Sequence, residues 1–179
     1  AFEKLAGRAG KMNKHNFAPT ILRAYDIRGI YQDTLTEADA HAIGMAFIAT
    51  LRQRGHGVTV AVGRDGRLSS PALAAALIDG LVQAGGEVRD IGCGPTPMLY
   101  FAGVTWQCDG AIQVTGSHNP PTHNGFKMVM NGKSFFGDDI QQLGQVSAAG
   151  VANGDGGSVT ETAIFDDYVN RLLQQADAG

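Results

Sequence analysis

Short apolar runs that suit β-strands alternate with helix-start signals along most of the chain. Residues 58–62 form a β-branched run between two glycines, and further strands are predicted at 88–91 and 110–114. A capping serine or threonine followed by proline opens a predicted helix after each of the first two strands, at Ser70 and at Thr96. Strands that alternate with helices favour a largely parallel sheet with helices on both faces.

The remaining segments extend this pattern. A strand is predicted at 20–27, after a polar N-terminal arm, and a capping box at 34–37 predicts the start of a long helix. Strands at 126–130 and 134–136 flank an Asn-Gly dipeptide, which is the strongest short hairpin signal. The predicted fold class is therefore α/β, a three-layer α/β/α domain whose sheet is mixed and mostly parallel, with an antiparallel edge strand.

The last part of the chain differs in composition from the rest. Residues 148–159 are rich in Gly, Ala, Asn and Asp and are predicted to form a loop, and a terminal helix is predicted at about 164–175. We therefore divide the chain into a domain at 1–147 and a linker with a bridging helix at 148–179, which would lead to a second domain.

Charge and hydropathy exclude several function classes. The formal net charge is -3, with acidic and basic residues interspersed, so no basic stripe is present to neutralise a nucleic-acid backbone. The longest apolar runs are far shorter than the roughly 20 residues of a membrane span, and the N-terminus has no apolar signal stretch. We expect a cytoplasmic protein that binds neither nucleic acid nor membrane.

Cys93 and Cys108 have no metal-ligand spacing and are interpreted as small buried residues.

Three glycine-containing polar turns follow predicted strands, at 28–29, 63–67 and 115–120. The carboxyl ends of such strands are where an α/β sheet gathers ligands. Ser117 follows its strand almost directly, so its hydroxyl could act as a nucleophile or carry a phosphate. A serine hydroxyl is a weak nucleophile without help, so candidates for proton handling and charge stabilisation are needed. The candidates are His118, Lys127 and Arg28.

Alternatives to this interpretation remain at this stage. Residues 115–120 are ordinary turn formers, and Arg28 and Arg67 could simply pair with neighbouring aspartates. His118 and His123 suggest a metal site, but zinc needs three or four soft or nitrogen ligands. Neither nucleotide-binding glycine fingerprint is present. A serine hydrolase would need glycines two residues before and after the serine, and this chain has Thr and Asn there.

Four motifs in fixed order resemble those of the α-D-phosphohexomutases. They are Tyr25-Asp-Ile-Arg-Gly29, Gly63-Arg-Asp-Gly-Arg67, Thr115-Gly-Ser-His-Asn-Pro120 and Asn124-Gly-Phe-Lys127. The resemblance extends from about residue 16 to residue 143, which is most of the chain. The first and third motifs are similar to the bacterial phosphomannomutase/phosphoglucomutase branch, whereas phosphoglucosamine mutases usually have Ala before the serine. The phosphoglucosamine mutases are the alternative within the family, and a non-catalytic sugar-phosphate-binding module is the alternative outside enzymes.

The resemblance implies a role for each candidate residue. Ser117 would carry the phosphate as catalytic residue and metal ligand, while Arg28, His118 and Lys127 would assist catalysis and Tyr25, Arg28 and Lys127 would bind substrate. The activity implied is interconversion of hexose 1-phosphate and hexose 6-phosphate, with mannose or glucose as the sugar. It proceeds through a bisphosphate intermediate, with glucose 1,6-bisphosphate as activator.

The same resemblance implies parts that this sequence lacks. Family members bind Mg²⁺ through the phosphoserine and three aspartates of a later Asp-Gly-Asp-Gly-Asp-Arg loop, and the single carboxylate of residues 154–157 does not replace that loop. Sugar-specificity and phosphate-binding segments also lie further along in the family, in C-terminal domains absent here. We therefore expect residues 1–147 to be the N-terminal phosphoserine-bearing mutase domain, inactive by itself.

Overall fold

The computed structural model describes residues 12–176, so the N-terminal arm up to residue 11 lies outside the described part. Nine strands and five α-helices alternate along these residues. The strands are β1 (Met12–Asn13), β2 (Ile27–Ile30), β3 (Thr59–Arg64), β4 (Glu87–Cys93), β5 (Gly110–Val114), β6 (His123–Met130), β7 (Lys133–Phe135), β8 (Val151–Ala152) and β9 (Ser158–Glu161). The helices are α1 (Glu37–Gln53), α2 (Ser70–Gln83), α3 (Thr96–Thr105), α4 (Asp138–Ala149) and α5 (Phe165–Ala176). None of the helices in this range is long and apolar enough to cross a membrane.

The main sheet has seven strands, and the other two strands, β1 and β8, form a small antiparallel pair. Its order is β2-β6-β5-β3-β4-β9, with β7 paired to β6 beside β2. Strands β5, β3, β4 and β9 are parallel neighbours, whereas β6 pairs antiparallel with β5, β2 and β7. Of the seven strands that residues 12–176 contribute to the main sheet, β6 alone therefore runs against the others. The predicted mixed, mostly parallel sheet is confirmed, with its antiparallel pairings at one side.

Helices cover both faces of this sheet, which confirms the three layers. Along β3 the side chains alternate, so Val60 and Val62 pack into the larger core with α1, α2 and α4. Ala61 points into the smaller core, which Leu99 of α3 and Ile164 close on the other face. The sheet is thus buried on both sides, and only its ends and edges are open to ligands.

The prediction of a strand at 20–27 is wrong. Residues Pro19–Ile21 form a 3₁₀ turn that begins at proline, whose fixed φ suits a helical turn. The amide of Arg23 then donates to the carbonyl of Asp26 at 3.1 Å, so the chain reverses before the strand begins at Ile27. Strand β2 starts there because Ile27 is the first residue in register with β6, opposite Phe126.

The capping box of α1 lies two residues later than predicted. The Thr36 hydroxyl accepts from the amide of Asp39 at 3.4 Å, and the amide of Thr36 donates to the Asp39 carboxylate at 2.8 Å. Thr34 instead accepts from the amide of Ile30 at 2.9 Å, inside the preceding turn. The two threonines carry the same capping chemistry, and the backbone path of the turn decides which of them is used.

Two further predictions concern the C-terminal half. The Asn-Gly hairpin is confirmed, since Asn131 and Gly132 have φ values of 47° and 71° and join β6 to β7. The prediction of a loop at 148–159 is wrong in part, because this stretch contains β8 and the start of β9, and β9 adds a parallel strand to the open edge of β4. The terminal helix is confirmed as α5, of whose described residues none is fully buried, although Tyr168 packs against the smaller core. The division at residue 147 stays a prediction.

Candidate active site

Two loops meet where β3 and β5 end. The strands are parallel neighbours, so Asp65 after β3 and Thr115 after β5 emerge side by side. The amide of Asp65 donates to the carbonyl of Val114 at 2.9 Å, which continues the sheet pairing into the loops. The second and third polar turns of the sequence therefore form one cluster at the carboxyl end of the sheet.

The Asp65 carboxylate organises this cluster. One oxygen accepts from the Thr115 hydroxyl at 2.8 Å and the Gly116 amide at 3.1 Å. The other accepts from the Ser70 hydroxyl at 2.5 Å and the Arg67 amide at 3.1 Å. Burial alone would raise the pKa of Asp65, but these hydrogen bonds from Ser70, Arg67, Thr115 and Gly116 outweigh it and hold that pKa below its usual value. Asp65 is therefore a charged anchor for the loop that follows β5.

Arg67 binds the same loop through its guanidinium group. It donates to four backbone carbonyls of the loop, and its Nε lies 3.3 Å from the Asp65 carboxylate. The four acceptors and their distances are Pro120 at 2.7 Å, His123 at 3.0 Å, Ser117 at 2.9 Å and Asn119 at 2.7 Å. Arg67 does pair with the neighbouring Asp65, which was one of the alternatives considered from the sequence. That ion pair is only one of the contacts that the guanidinium group makes.

Ser117 occupies an unusual backbone conformation in this loop. Its φ is 52°, in the left-handed region that residues other than glycine rarely adopt. Its amide donates to the Thr115 hydroxyl at 2.9 Å, and that hydroxyl donates in turn to Asp65. The side chain is exposed, and its Oγ lies 3.4 Å from Nδ1 of His118. The cluster thus presents one serine hydroxyl, with an imidazole beside it, at the rim of the sheet.

Arg28, on β2, contacts the loop that follows β5. It is 5% exposed, it forms an ion pair with Asp26, and it donates to the carbonyl of Gly116 at 2.7 Å. The structure therefore brings Arg28 to the residue next to Ser117. What Arg28 does to a bound phosphate stays a prediction.

Lys127 and Tyr25 are less directly connected to Ser117. Lys127 is half-buried on β6, opposite Gln113 of β5. Tyr25 is 82% exposed, and its ring stacks on that of Phe136 with 6.4 Å between centroids. We call the loop between β5 and β6 the serine loop. Within residues 12–176 neither side chain forms a hydrogen bond to it. The substrate-binding roles of Lys127 and Tyr25 stay predictions.

Sequence reasoning missed two buried amides in this region. The Asn124 side chain donates to the hydroxyls of Ser69 and Ser70 at 2.8 and 2.9 Å, so it ties β6 to the start of α2. Gln113 is fully buried and donates to the carbonyl of Gly94 at 2.9 Å, while its Oε1 has no partner in the described structure. Asn124 stands inside a recognised motif, but a glutamine within an apolar strand was the only signal for Gln113.

Two other kinds of site can be placed relative to this cluster. Among residues 12–176 no three His, Cys, Asp or Glu side chains gather as a metal site. An open cavity of about 470 Å³ lies at the amino end of β5, lined among others by Val104, Cys108 and Gly110, and is remote from Ser117. Burial raises the pKa of the Cys108 thiol, which lowers the fraction of the reactive thiolate form. Cys108 is half-buried and Cys93 is exposed, so the prediction that both cysteines are buried is wrong for Cys93.

The fold and this cluster define an α/β/α domain that presents a serine at the carboxyl end of a mostly parallel sheet. Residues 19–150 match the family model described as phosphoglucomutase/phosphomannomutase, alpha/beta/alpha domain I. The chain belongs to the phosphoglucomutase/phosphomannomutase family.

Individual relatives agree with this assignment. A phosphomannomutase/phosphoglucomutase of Pseudomonas aeruginosa is 44% identical over 160 residues, covering 87% of this chain and 34% of that protein. A phosphoglucomutase of Neisseria meningitidis serogroup B is 42% identical over 160 residues, covering 88% of this chain and 34% of that protein. A solved structure of a family protein from Burkholderia thailandensis superposes with a TM-score of 0.80 at 43% identity, covering 88% of this chain and 36% of that one. The chain therefore spans about a third of the length of the relatives it matches.

Proposed function

We propose that this chain is the phosphoserine-bearing first domain of a phosphomannomutase/phosphoglucomutase, which interconverts hexose 1-phosphate and hexose 6-phosphate of mannose or glucose. The observation that carries the proposal is the exposed Ser117 hydroxyl, held in a left-handed turn at the carboxyl end of β5. Membership of the family supports it. An enzyme that acts on hexose phosphates would work in the cytoplasm.

The chemistry assigned to Ser117 is reversible phosphoryl transfer. Phosphoserine gives its phosphoryl group to a free hydroxyl of the hexose monophosphate, so the P–O bond to Ser117 breaks as a P–O bond to the sugar forms. The resulting bisphosphate turns round, and its other phosphoryl group returns to the Ser117 oxygen. Such transfers depend mainly on positioning and charge neutralisation, which fits a loop held by arginines.

The residues around Ser117 have distinct proposed roles. His118, with Nδ1 at 3.4 Å from the serine Oγ, carries the proton of the attacking sugar hydroxyl to the Ser117 oxygen as its P–O bond breaks. In the second transfer the proton moves the opposite way, from the serine hydroxyl to the sugar oxygen that is released. Arg28 and Lys127 supply positive charge, and Tyr25 contributes to the substrate-binding surface. Arg28 donates to the carbonyl of Gly116 and pairs with Asp26, so its positive charge lies beside the loop that would carry the phosphate.

Mg²⁺ fits this site only in part. Both carboxylate oxygens of Asp65 already accept hydrogen bonds from four donors of this chain, so Asp65 is not a free ligand for the ion. Among residues 12–176 no three acidic, histidine or cysteine side chains gather as a metal site. Ser117, through a phosphate oxygen, is therefore the residue of this chain that would hold the ion. Mg²⁺ would neutralise charge on the transferred group, and its remaining ligands would come from aspartates that this chain does not contain.

Gly116 supports the phosphomannomutase/phosphoglucomutase branch over the phosphoglucosamine mutases. A Cβ on Gly116 would lie 2.2 Å from Cζ of Arg67, and that guanidinium is fixed by four carbonyls and Asp65. Alanine, which usually stands at this position in the phosphoglucosamine branch, does not fit this loop as it is arranged here.

Phosphopeptide mapping tests the proposal. The complete protein, incubated with glucose 1,6-bisphosphate and Mg²⁺, should gain one phosphate on Ser117 as measured by intact mass and peptide fragmentation. Ser117→Ala should abolish both the adduct and the mutase activity, with kcat falling at least about a thousandfold because the covalent carrier is gone. Ser134→Ala, at another exposed serine, is the matched control and should keep both. Phosphate on another serine, or a Ser117→Ala variant of near wild-type activity, would refute the assignment.

A further inference from the structure

We propose that Arg67 is a positioning residue for phosphoryl transfer, and that its guanidinium sets the direction in which Ser117 presents its oxygen. This inference rests on the proposed function of Ser117. Arg67 lies 50 residues before the serine, and its contact with Ser117 is to the backbone carbonyl, at 2.9 Å. It therefore acts through the loop backbone.

The acceptors of Arg67 span the whole turn. Its NH2 donates to the carbonyls of Ser117 and Asn119, and its NH1 donates to those of Pro120 and His123. The negative ends of four carbonyl dipoles thus converge on one point. Without a cation there they would repel one another and also repel a phosphate on Ser117. The guanidinium charge removes both repulsions and leaves the loop one favourable arrangement.

Only an arginine fits these contacts. The guanidinium is planar with five donors in a fixed fork, whereas lysine has three donors on a point charge. The side chain is largely buried, at 16% exposed, and Asp65 fixes its base through Nε and through the Arg67 amide. Gly116 packs on the guanidinium so closely that a Cβ would overlap it. The group is therefore confined on three sides.

The conformation of Ser117 explains why this restraint matters. Holding a non-glycine residue at a φ of 52° is energetically unfavourable, so a free loop would relax to other conformations. Relaxation would move the oxygen that must lie in line with the transferred phosphoryl group. Misplacement by about 1 Å can lower a rate by about a hundredfold. Arg67 therefore contributes to kcat and little to the binding of the sugar.

The test compares Arg67→Lys with Arg52→Lys in the complete protein. Arg52 also binds two backbone carbonyls, of Ala84 at 2.6 Å and Gly85 at 3.2 Å, but at the end of α2 and away from the serine loop. We expect Arg67→Lys to lower kcat by about a hundredfold with KM changed less than threefold, and Arg52→Lys to keep kcat within twofold. The phosphorus-31 resonance of phosphoserine should shift or broaden in the first variant only. Thermal unfolding of both variants controls for loss of fold.

The outcomes separate this inference from the proposed function. If the wild-type protein is not phosphorylated on Ser117, the proposed function fails and the inference with it. If the wild type is phosphorylated and Arg67→Lys keeps wild-type kcat, the inference alone is overturned. Should Arg67→Lys not fold, Gly116→Ala replaces it, because it displaces the guanidinium while keeping the arginine. That variant should lose kcat at least tenfold, and kcat within twofold of wild type would overturn the inference.

Discussion

At the scale of single residues, the site depends on the half-buried carboxylate of Asp65 as much as on the serine. Asp65 accepts two hydrogen bonds from residues at the base of the serine loop and two from its own turn and α2. These donors favour the ionised form, so the carboxylate is part of the folded structure as a charge. Removing that charge would leave the donors of Thr115 and Gly116 poorly matched.

We predict that Asp65→Asn makes the stability of this site insensitive to acid. The folded-state pKa of Asp65 is below its unfolded value, so its stabilisation is complete above about pH 4 and is lost as pH falls through the folded pKa. Asp65→Asn should reduce the free energy of unfolding by about 2 kcal/mol at pH 7 and by less at pH 3. Urea denaturation at the two pH values measures this difference, with Asp79→Asn, an exposed carboxylate, as control. A penalty equal at both pH values would contradict the prediction.

At the scale of elements, glycines allow α1 and α2 to cross at close range. A Cβ on Gly80 would lie 2.0 Å from the carbonyl oxygen of His41, and one on Gly44 would lie 2.4 Å from that of Leu77. Both near atoms are helix backbone, so neither can move aside without shifting a whole helix. Gly44 has a low helix propensity, and the close packing of α1 on α2 that it allows compensates for that cost.

We predict that Gly80→Ala destabilises the fold although alanine is the better helix former. The propensity gain is about 1 kcal/mol, and separating the two helices should cost more, for a net loss of about 1–3 kcal/mol. Gly103→Ala in α3 is the matched control, because the nearest atom to its Cβ would be that of Ala111 at an ordinary 3.5 Å. The control should gain about 0.5–1 kcal/mol. Chemical denaturation decides, and a stabilised Gly80→Ala would show that the helices adapt.

At the scale of the whole molecule, fold and reaction separate. The seven-stranded sheet is covered by helices on both faces, and the core includes fully buried side chains such as Phe47, Phe126 and Leu77. The chain nevertheless spans about a third of the length of its relatives. The proposed reaction needs metal ligands and sugar contacts beyond Ser117.

We predict that these 179 residues unfold in one cooperative transition and yet do not turn over substrate. With Ser117 as the sole metal ligand, Mg²⁺ keeps most of its waters, and a bisphosphate intermediate would diffuse away before it turns round. The measurements are thermal unfolding by circular dichroism and conversion of mannose 1-phosphate to mannose 6-phosphate with Mg²⁺ and glucose 1,6-bisphosphate. Turnover within tenfold of the full-length enzyme would show that this domain suffices.

Local signals in the sequence were enough to predict most elements and to select Ser117 as the candidate nucleophile. Proline in the first turn of α2 and α3, the β-branched run of β3 and the Asn-Gly turn act through neighbours along the chain, so they could be interpreted without a fold. The prediction that Ser70 and Thr96 cap these helices is wrong, because they are the first helical residues and the N-caps, Ser69 and Pro95, form no side-chain capping hydrogen bond. The turn that holds Ser117 was identified because it directly follows a predicted strand. Where signals were ambiguous, as with the two threonines before α1, the prediction was displaced by two residues.

Only the tertiary structure decided what surrounds Ser117. Asp65 contacts Thr115, and Arg67 contacts Ser117, across about 50 residues of sequence because β3 and β5 are neighbours in the sheet. The sequence of either strand alone does not determine the order of the strands. The left-handed backbone of Ser117 likewise depends on those contacts, since its own residue type disfavours it. The sequence by itself therefore determined most of the local elements and the candidate nucleophile, Ser117. The packing of two distant turns determined how that side chain is held, because hydrogen bonds to backbone carbonyls depend on chain path and not on residue identity.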